Sequence, residues 1–370
     1  MKKILFLIHD LGQGGAEKVL VNLVNHMDYS KFDVTVMTLF DCGENRQFLC
    51  PEITYKYWKK SMIPGNSHFM KIFTPEQLHK MIIKDQYDVE VAYLEGPCAR
   101  VISGCTNSDV KLISWIHIEQ RNKKAAATSF RSVREAKQCY GKFHEIISVS
   151  EAVQKSFWNA LHLLKKGQVL YNTVNSKEIL EKSKEKINLI KFKETEVKIV
   201  AVGKLLKSKG FDRLLRIMVR LLKEGCKVHL YILGDGPMKS EMRKYITDNY
   251  IEKYVDLLGY QLNPYKYIAK CDLFVCTSYA EGFSTAATEA LILGIPVCTV
   301  DVAGMKEMLG ENDEYGIIVS NNENALYEKI KLLVERNDLL DHYTRQAKKR
   351  GSIFCIEETV SKVEEMLLSL

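Results

Sequence analysis

Short apolar runs recur along the chain, separated by amphipathic stretches and by turns that contain glycine. In the first half the runs are Ile4–Ile8, Val34–Leu39, Val89–Leu94, Leu112–Ile116 and Ile146–Val149. In the second they are Ile199–Val202, Val228–Leu233, Val255–Leu258, Leu273–Cys276, Pro296–Val300 and Gly316–Val319. Most lack the alternation of a half-exposed strand, which predicts strands buried on both faces. Between them lie amphipathic stretches such as Phe211–Lys223 and Met238–Thr247, which predict helices. Strands alternating with helices in this way imply α/β parallel sheets covered on both sides.

Two such runs predict two Rossmann-like domains, and 370 residues suffice for two sizeable cores. The stretch Ser176–Lys198 is rich in lysine and glutamate with few strong apolar positions, so the boundary is expected there. The expected division is 1–175, 176–350 and a terminal amphipathic segment, 351–370. No apolar stretch approaches the roughly 20 residues that span a bilayer. Lys2-Lys3 and the apolar run after it are too short for a signal peptide and read as the first strand. Ten cysteines without a C-x-x-C pair, several inside apolar runs, point to reduced thiols and a cytoplasmic location. A net charge of +7 fits an anionic ligand, a membrane surface or nucleic acid without choosing among them.

Candidate chemistry changes that picture most at Glu281-Gly282-Phe283-Ser284-Thr285-Ala286-Ala287-Thr288-Glu289. The stretch follows the strand-like run Leu273–Cys276 and leads into a short apolar helix stopped by Gly294-Ile295-Pro296. Ser284 or Thr285 can cap that helix, which turns its free N–H groups and positive dipole end outward as an anion site. Glu289 then stands about 6 Å along the helix from Thr285. Other glycine turns follow other strands. Gly12-Gln13-Gly14-Gly15-Ala16-Glu17 could belong to a dinucleotide fingerprint, but Glu17 occupies the position that would need glycine. Gly203 to Gly210 carries Lys204, Lys207 and Lys209, and Gly234-Asp235-Gly236-Pro237 and Gly259-Tyr260 close the next two strands. Ser114-Trp115-Ile116-His117-Ile118-Glu119-Gln120 ends a strand of the first half.

Taken together these motifs resemble the retaining nucleotide-sugar glycosyltransferases of family GT4, and the likeness runs through nearly the whole chain. It implies the GT-B fold, two Rossmann-like domains facing across a cleft, with the C-terminal helix crossing back to the N-terminal domain. It implies catalytic roles for Glu281, His117 and Lys209. It also implies donor contacts from Gly14, Gly15, Lys204, Lys209, Gly234, Tyr260, Glu281, Gly282, Phe283, Ser284, Thr285 and Glu289. Glu119 and Gln120 are the acceptor-side candidates, and Asn172 borders the cleft. Lys204 stands where family members usually carry arginine, and lysine supplies the charge without the bidentate fork.

With no Asp-x-Asp, the expectation is transfer without a metal or other cofactor, the nucleotide-sugar being a substrate. UDP is the expected carrier, and a saccharide or lipid-linked saccharide of surface polysaccharide or glycolipid synthesis the expected acceptor. Tyr55-Lys56-Tyr57-Trp58-Lys59-Lys60 with Met62, Ile63, Phe69 and Phe73, and the basic residues Arg121, Lys123, Lys124, Arg131, Arg134 and Lys137, suit peripheral contact with an anionic membrane on its inner face. They suit a sheet strand and a solvated helix face equally well. No nucleic-acid motif accompanies them. Two other classes stay open: a GT-B sugar-nucleotide enzyme of the epimerase kind, and a non-catalytic partner subunit.

Overall fold

A computed structural model describes residues 1–61, 69–163, 167–187, 192–193 and 195–370. Met62 and Ile63 lie outside them. Two compact units are present: Met1–Thr173 with Ile356–Leu370, and Val174–Cys355.

The first unit is built on a parallel sheet of strands β1 (Lys2–Ile8), β2 (Phe32–Phe40), β3 (Thr54–Lys59), β4 (Val89–Ala92), β5 (Lys111–Ile116), β6 (Glu145–Ser148) and β7 (Gln168–Val169). Their order is β3-β2-β1-β4-β5-β6-β7. Ile4 to Ile8 are wholly buried, as a strand covered on both faces must be. The second unit repeats the winding with β8 (Val197–Val202), β9 (Val228–Leu233), β10 (Val255–Gly259), β11 (Leu273–Cys276), β12 (Val297–Val300) and β13 (Ile317–Val319), in the order β10-β9-β8-β11-β12-β13. All pairings in both sheets are parallel. Both sheets are Rossmann-like.

The strand order reverses between β1 and β4 in one unit and between β8 and β11 in the other. At such a switch point the connecting loops leave in opposite directions, and a crevice opens beyond the carboxyl ends of the strands. Gly14 and Gly15 follow β1, Lys204 and Lys209 follow β8, and Glu281 follows β11.

The terminal helix Ile356–Ser369 belongs to the first unit. Lys2 Nζ donates to the Leu367 carbonyl at 2.8 Å and the Asp28 N–H to Glu364 Oε1 at 2.6 Å. Buried Ile356, Val360, Val363 and Leu367 carry its apolar face. None of the ten cysteines is in a disulfide. No helix among the described residues is long and apolar enough to cross a membrane.

The aromatic-basic stretch Tyr55–Lys59 forms the edge strand β3. Lys56 pairs with Asp85 at 2.6 Å, and Lys59 lies over the Trp58 ring. Arg131 is spent on the carbonyls of Lys71 and Ile72. Phe69, Ile72 and Tyr57 remain exposed.

Candidate active site

In the second unit the site grows from two adjacent strands. β8 leads into a loop whose tight turn, Lys207–Lys209, ends at Gly210. β11 leads into Thr277, Ser278 and Glu281. Because β8 and β11 are neighbours, the two loops meet. Lys209 Nζ reaches Glu281 Oε1 at 2.6 Å, and the Ser278 hydroxyl donates to the same oxygen at 2.5 Å. The Thr277 hydroxyl donates to the Lys209 carbonyl at 2.8 Å, which ties the two loops at the backbone. Gly210 permits that closeness. Its φ is +67°, and a Cβ there would lie 2.1 Å from the Thr277 carbonyl oxygen.

Arg213, on the helix Phe211–Lys223, supports the loop from beneath. Its side chain is buried, with Nε donating to the Thr277 carbonyl at 2.8 Å and Nη2 to that of Ser278 at 3.1 Å. Nη1 donates to Asn321 Oδ1 at 2.9 Å, and the guanidinium stacks on Tyr279. Those carbonyls flank the residue that hydrogen-bonds Glu281.

Ser284 caps the helix Thr285–Ile292, accepting from the Ala287 N–H at 3.3 Å. Of the two candidate caps it is Ser284 that does so. Thr288 donates to the Ser284 carbonyl at 3.0 Å. Gly282, Phe283 and Ser284 are buried, and Thr285 is half-buried. Glu289 is only 5% exposed, so it does not face solvent. Gly304, at φ +78°, lets the loop after β12 pack on Gly282 and Phe283. A Cβ on Gly234 would lie 1.9 Å from the Gly203 carbonyl, so the loops after β8 and β9 are in backbone contact. Lys204 and Tyr260 are half-buried, and Lys207 is exposed.

Burial pulls the Lys209 pKa down, and the Glu281 carboxylate more than offsets it by charge and hydrogen bond, so the value stands above the usual lysine range. The pair presents an ammonium hydrogen-bonded to a carboxylate, four residues before a capped helix start. That arrangement can hold an anion and the hydroxyls beside it.

In the first unit, Gly14 is the N-cap of the helix Gly15–Val24 and adds no side-chain cap. Glu17, in the first helical turn, lies so close that a Cβ on Gly14 would meet its carboxylate at 2.0 Å. A carboxylate there is favoured by the helix dipole. His117 follows β5 and packs against Tyr93 and Trp115. Burial pushes its pKa down to about 3, while a hydrogen bond to the Tyr93 backbone works the other way. Its Nε2 is buried and has no hydrogen-bond partner among the described residues, so the neutral ring offers an acceptor lone pair. Glu119 is half-buried and pairs with Arg121 at 3.3 Å. Gln120 is turned inward: its Nε2 donates to the Ile118 carbonyl at 3.2 Å and its N–H to Ser156 Oγ at 3.1 Å. Asn172 is buried near the end of this unit's first segment.

Residues 182–350 match the family described as Glycosyl transferases group 1. Over 96% of both chains, the protein is 30% identical to N-acetylgalactosamine-N,N'-diacetylbacillosaminyl-diphospho-undecaprenol 4-alpha-N-acetylgalactosaminyltransferase of Campylobacter jejuni. The chain belongs to the group 1 glycosyl transferases. This glycosyltransferase is also 24% identical to the amylovoran biosynthesis glycosyltransferase AmsD of Erwinia amylovora, over 99% of its own length and 100% of the relative's. The crystal structure of Anabaena Alr3699/HepE in complex with UDP and glucose superposes with a TM-score of 0.78, at 20% identity and full coverage of both chains. The fold is GT-B.

Three residues of the glycosyltransferase escaped the reading of its sequence. Glu95 lies just past β4, and its carboxylate accepts the His117 N–H at 2.9 Å. Burial raises its pKa. A carboxylate directly after an apolar strand at the switch point was the available signal. Ser278 and Arg213 gave none, since an isolated serine and a helical arginine are commonplace in sequence.

Proposed function

We propose that this glycosyltransferase moves a sugar, with retention of anomeric configuration, from a UDP-sugar to a saccharide or lipid-linked saccharide in surface polysaccharide or glycolipid synthesis. The observation that carries the reading is the convergence of Lys209, Glu281 and the capped start of Thr285–Ile292 at the switch point of the second unit. In this reading Lys204, Lys209 and the N–H groups at Phe283–Thr285 hold the donor diphosphate and stabilise the charge it gains on leaving. Glu281 takes hydroxyls of the donor sugar and Glu289 those of the ribose. Gly14, Gly15, Gly234 and Tyr260 add donor contacts. His117, neutral, accepts a hydrogen bond from the sugar, and Glu119 and Gln120 stand on the acceptor side. The leaving phosphate deprotonates the acceptor hydroxyl as it attacks from the same face, so no metal is required at this site.

Support for a lipid-linked acceptor comes from the Campylobacter relative, whose name specifies a diphospho-undecaprenol substrate. Exposed Phe69 and Ile72 close to basic side chains support peripheral contact with an anionic membrane from the cytoplasmic side.

The test is thermal denaturation against UDP-, GDP- and ADP-sugars, with and without EDTA. A ligand that binds the native state raises Tm by mass action. The expected result is a shift with a UDP-sugar that EDTA leaves unchanged and Lys209→Ala abolishes. No shift with any nucleotide or nucleotide-sugar would replace this reading by that of a non-catalytic partner subunit.

A further inference from the structure

In the first unit, away from the carboxyl ends of its strands, three side chains of different metal-ligating chemistry converge. His79 comes from the helix Pro75–Ile82, Glu90 from β4, and Cys105 from the turn after the helix Pro97–Ile102. One ligand atom of each lies within 4.8 Å of the other two. Each is delivered by a well-defined local device. Thr74 and Gln77 form a capping box that fixes the start of the His79 helix. Glu90 is held in register between Leu5 of β1 and Leu112 of β5. Gly104 lies against Pro75, since a Cβ there would sit 1.9 Å from the Pro75 carbonyl oxygen. That backbone approach brings Cys105 to the helix that carries His79.

Glu90 poses the physical problem. A carboxylate 2% exposed on an interior strand, flanked by leucines, is costly unless a positive partner meets it. Among the described residues its ion-pair partner is His79, at 2.8 Å from Nε2 to Oε2. Lys142, the nearby lysine, is engaged with Glu76 at 3.2 Å.

We propose that His79, Glu90 and Cys105 form a site for one thiophilic divalent cation of the zinc class. A sulfur, an imidazole nitrogen and a carboxylate oxygen are the ligand set that borderline-soft ions select, and magnesium and calcium do not. Ligand bonds of about 2.0–2.3 Å in a tetrahedron leave the three donor atoms about 3.3–3.6 Å apart, with water as the fourth ligand. The His79–Glu90 hydrogen bond opens by a fraction of an ångström and the Cys105 sulfur closes in. The cation replaces two protons, that of the Cys105 thiol and the one His79 Nε2 holds against Glu90. Both leave for solvent, the imidazole keeps its remaining N–H on Nδ1, and Nε2 presents its lone pair. The ion clamps a helix, a strand and a turn of the first unit together and takes no part in sugar transfer.

Cobalt titration of the full-length, reduced, EDTA-stripped chain tests the site. One equivalent of Co²⁺ is expected to give a tetrahedral visible spectrum with a thiolate charge-transfer band, and Zn²⁺ to displace it. Cys105→Ser should abolish the charge-transfer band and weaken zinc binding at least tenfold, and the exposed-site control Cys355→Ser should leave both intact. In the unmodified chain, zinc should protect Cys105 from alkylation, read by mass spectrometry. Absence of the band at stoichiometric cobalt, its survival in Cys105→Ser, or equal alkylation of Cys105 with and without zinc would each overturn the proposal.

Discussion

Lys209 and Glu281, 72 positions apart in the chain, hold each other at 2.6 Å through one carboxylate oxygen that Ser278 also occupies. The side chain of Lys209 is 30% exposed and that of Glu281 11%, so the lysine can turn toward a ligand while the carboxylate stays in place. In the pair each charge neutralises the other. On the proposed assignment of Lys209 to the donor diphosphate, the ligand would share the ammonium with Glu281.

That competition predicts opposite effects on binding and turnover. Glu281→Gln removes the negative charge beside the anion site, so UDP should bind as tightly as in the parent or more tightly by calorimetry. Transfer should fall by about 10²-fold or more, the scale for losing a group matched to the transition state. Equal losses in UDP affinity and turnover would contradict the assignment of Glu281 to the sugar.

Arg213 should act on the site without touching a ligand. Arg213→Met leaves the Thr277 and Ser278 carbonyls without their buried donors, at a cost of about 2–4 kcal/mol, readable by urea denaturation. Because Ser278 orients Glu281, the same variant should lower kcat with a UDP-sugar more than it weakens UDP binding. Arg213→Lys should recover only part of the loss, since an ammonium cannot reproduce the planar fork. Full recovery by lysine would show that charge alone matters.

Two glycines with left-handed backbones separate strain from crowding. Gly225 has φ +80° and open space where a Cβ would go, whereas Gly210 has φ +67° and the Thr277 carbonyl 2.1 Å away. Gly225→Ala should cost about 1 kcal/mol, the conformational term alone. Gly210→Ala should cost distinctly more and should weaken nucleotide binding, because Lys209 is the adjacent residue. Equal Tm losses would rule out the backbone contact as the cause.

His117 predicts a stability profile on the acid side. In the unfolded chain its ring gains a proton as pH falls through about 6.5, while in the folded chain burial holds the pKa down to about 3. Between those values the unfolded state binds more protons, so this contribution is complete above about 6.5 and is lost as pH falls toward about 3. The slope is at most about 1.4 kcal/mol per pH unit. Melts of the parent and His117→Gln from pH 7.5 to 4.5 should diverge, the parent losing more. Parallel curves would mean the ring is not held neutral.

Much of the architecture was legible because a parallel strand buried on both faces needs an uninterrupted apolar run. The runs at Ile4–Ile8, Val228–Leu233 and Leu273–Cys276 all fall within observed strands. The edge strand β3 was harder. Thr54–Lys59 lacks such a run because one side of an edge strand has no neighbour to bury against. Its aromatic and basic residues therefore fitted a membrane patch and a strand equally well. β7 has only two residues, Gln168 and Val169, too few for any pattern to register.

At the candidate site, the chain by itself determined the small-residue turn after β11, the helix that follows it and the eight-residue interval from Glu281 to Glu289, since these depend on local spacing and capping. It also determined the family. Only the tertiary structure decided which polar groups meet. Strand order sets β8 beside β11, and that adjacency brings Lys209 and Arg213 to residues 64 to 72 positions away. The same holds for Glu95 beneath His117 and for His79, Glu90 and Cys105. Hydrophobic burial is written in local periodicity, whereas a pairing of distant polar side chains depends on the stacking order of strands, which no short window of sequence contains.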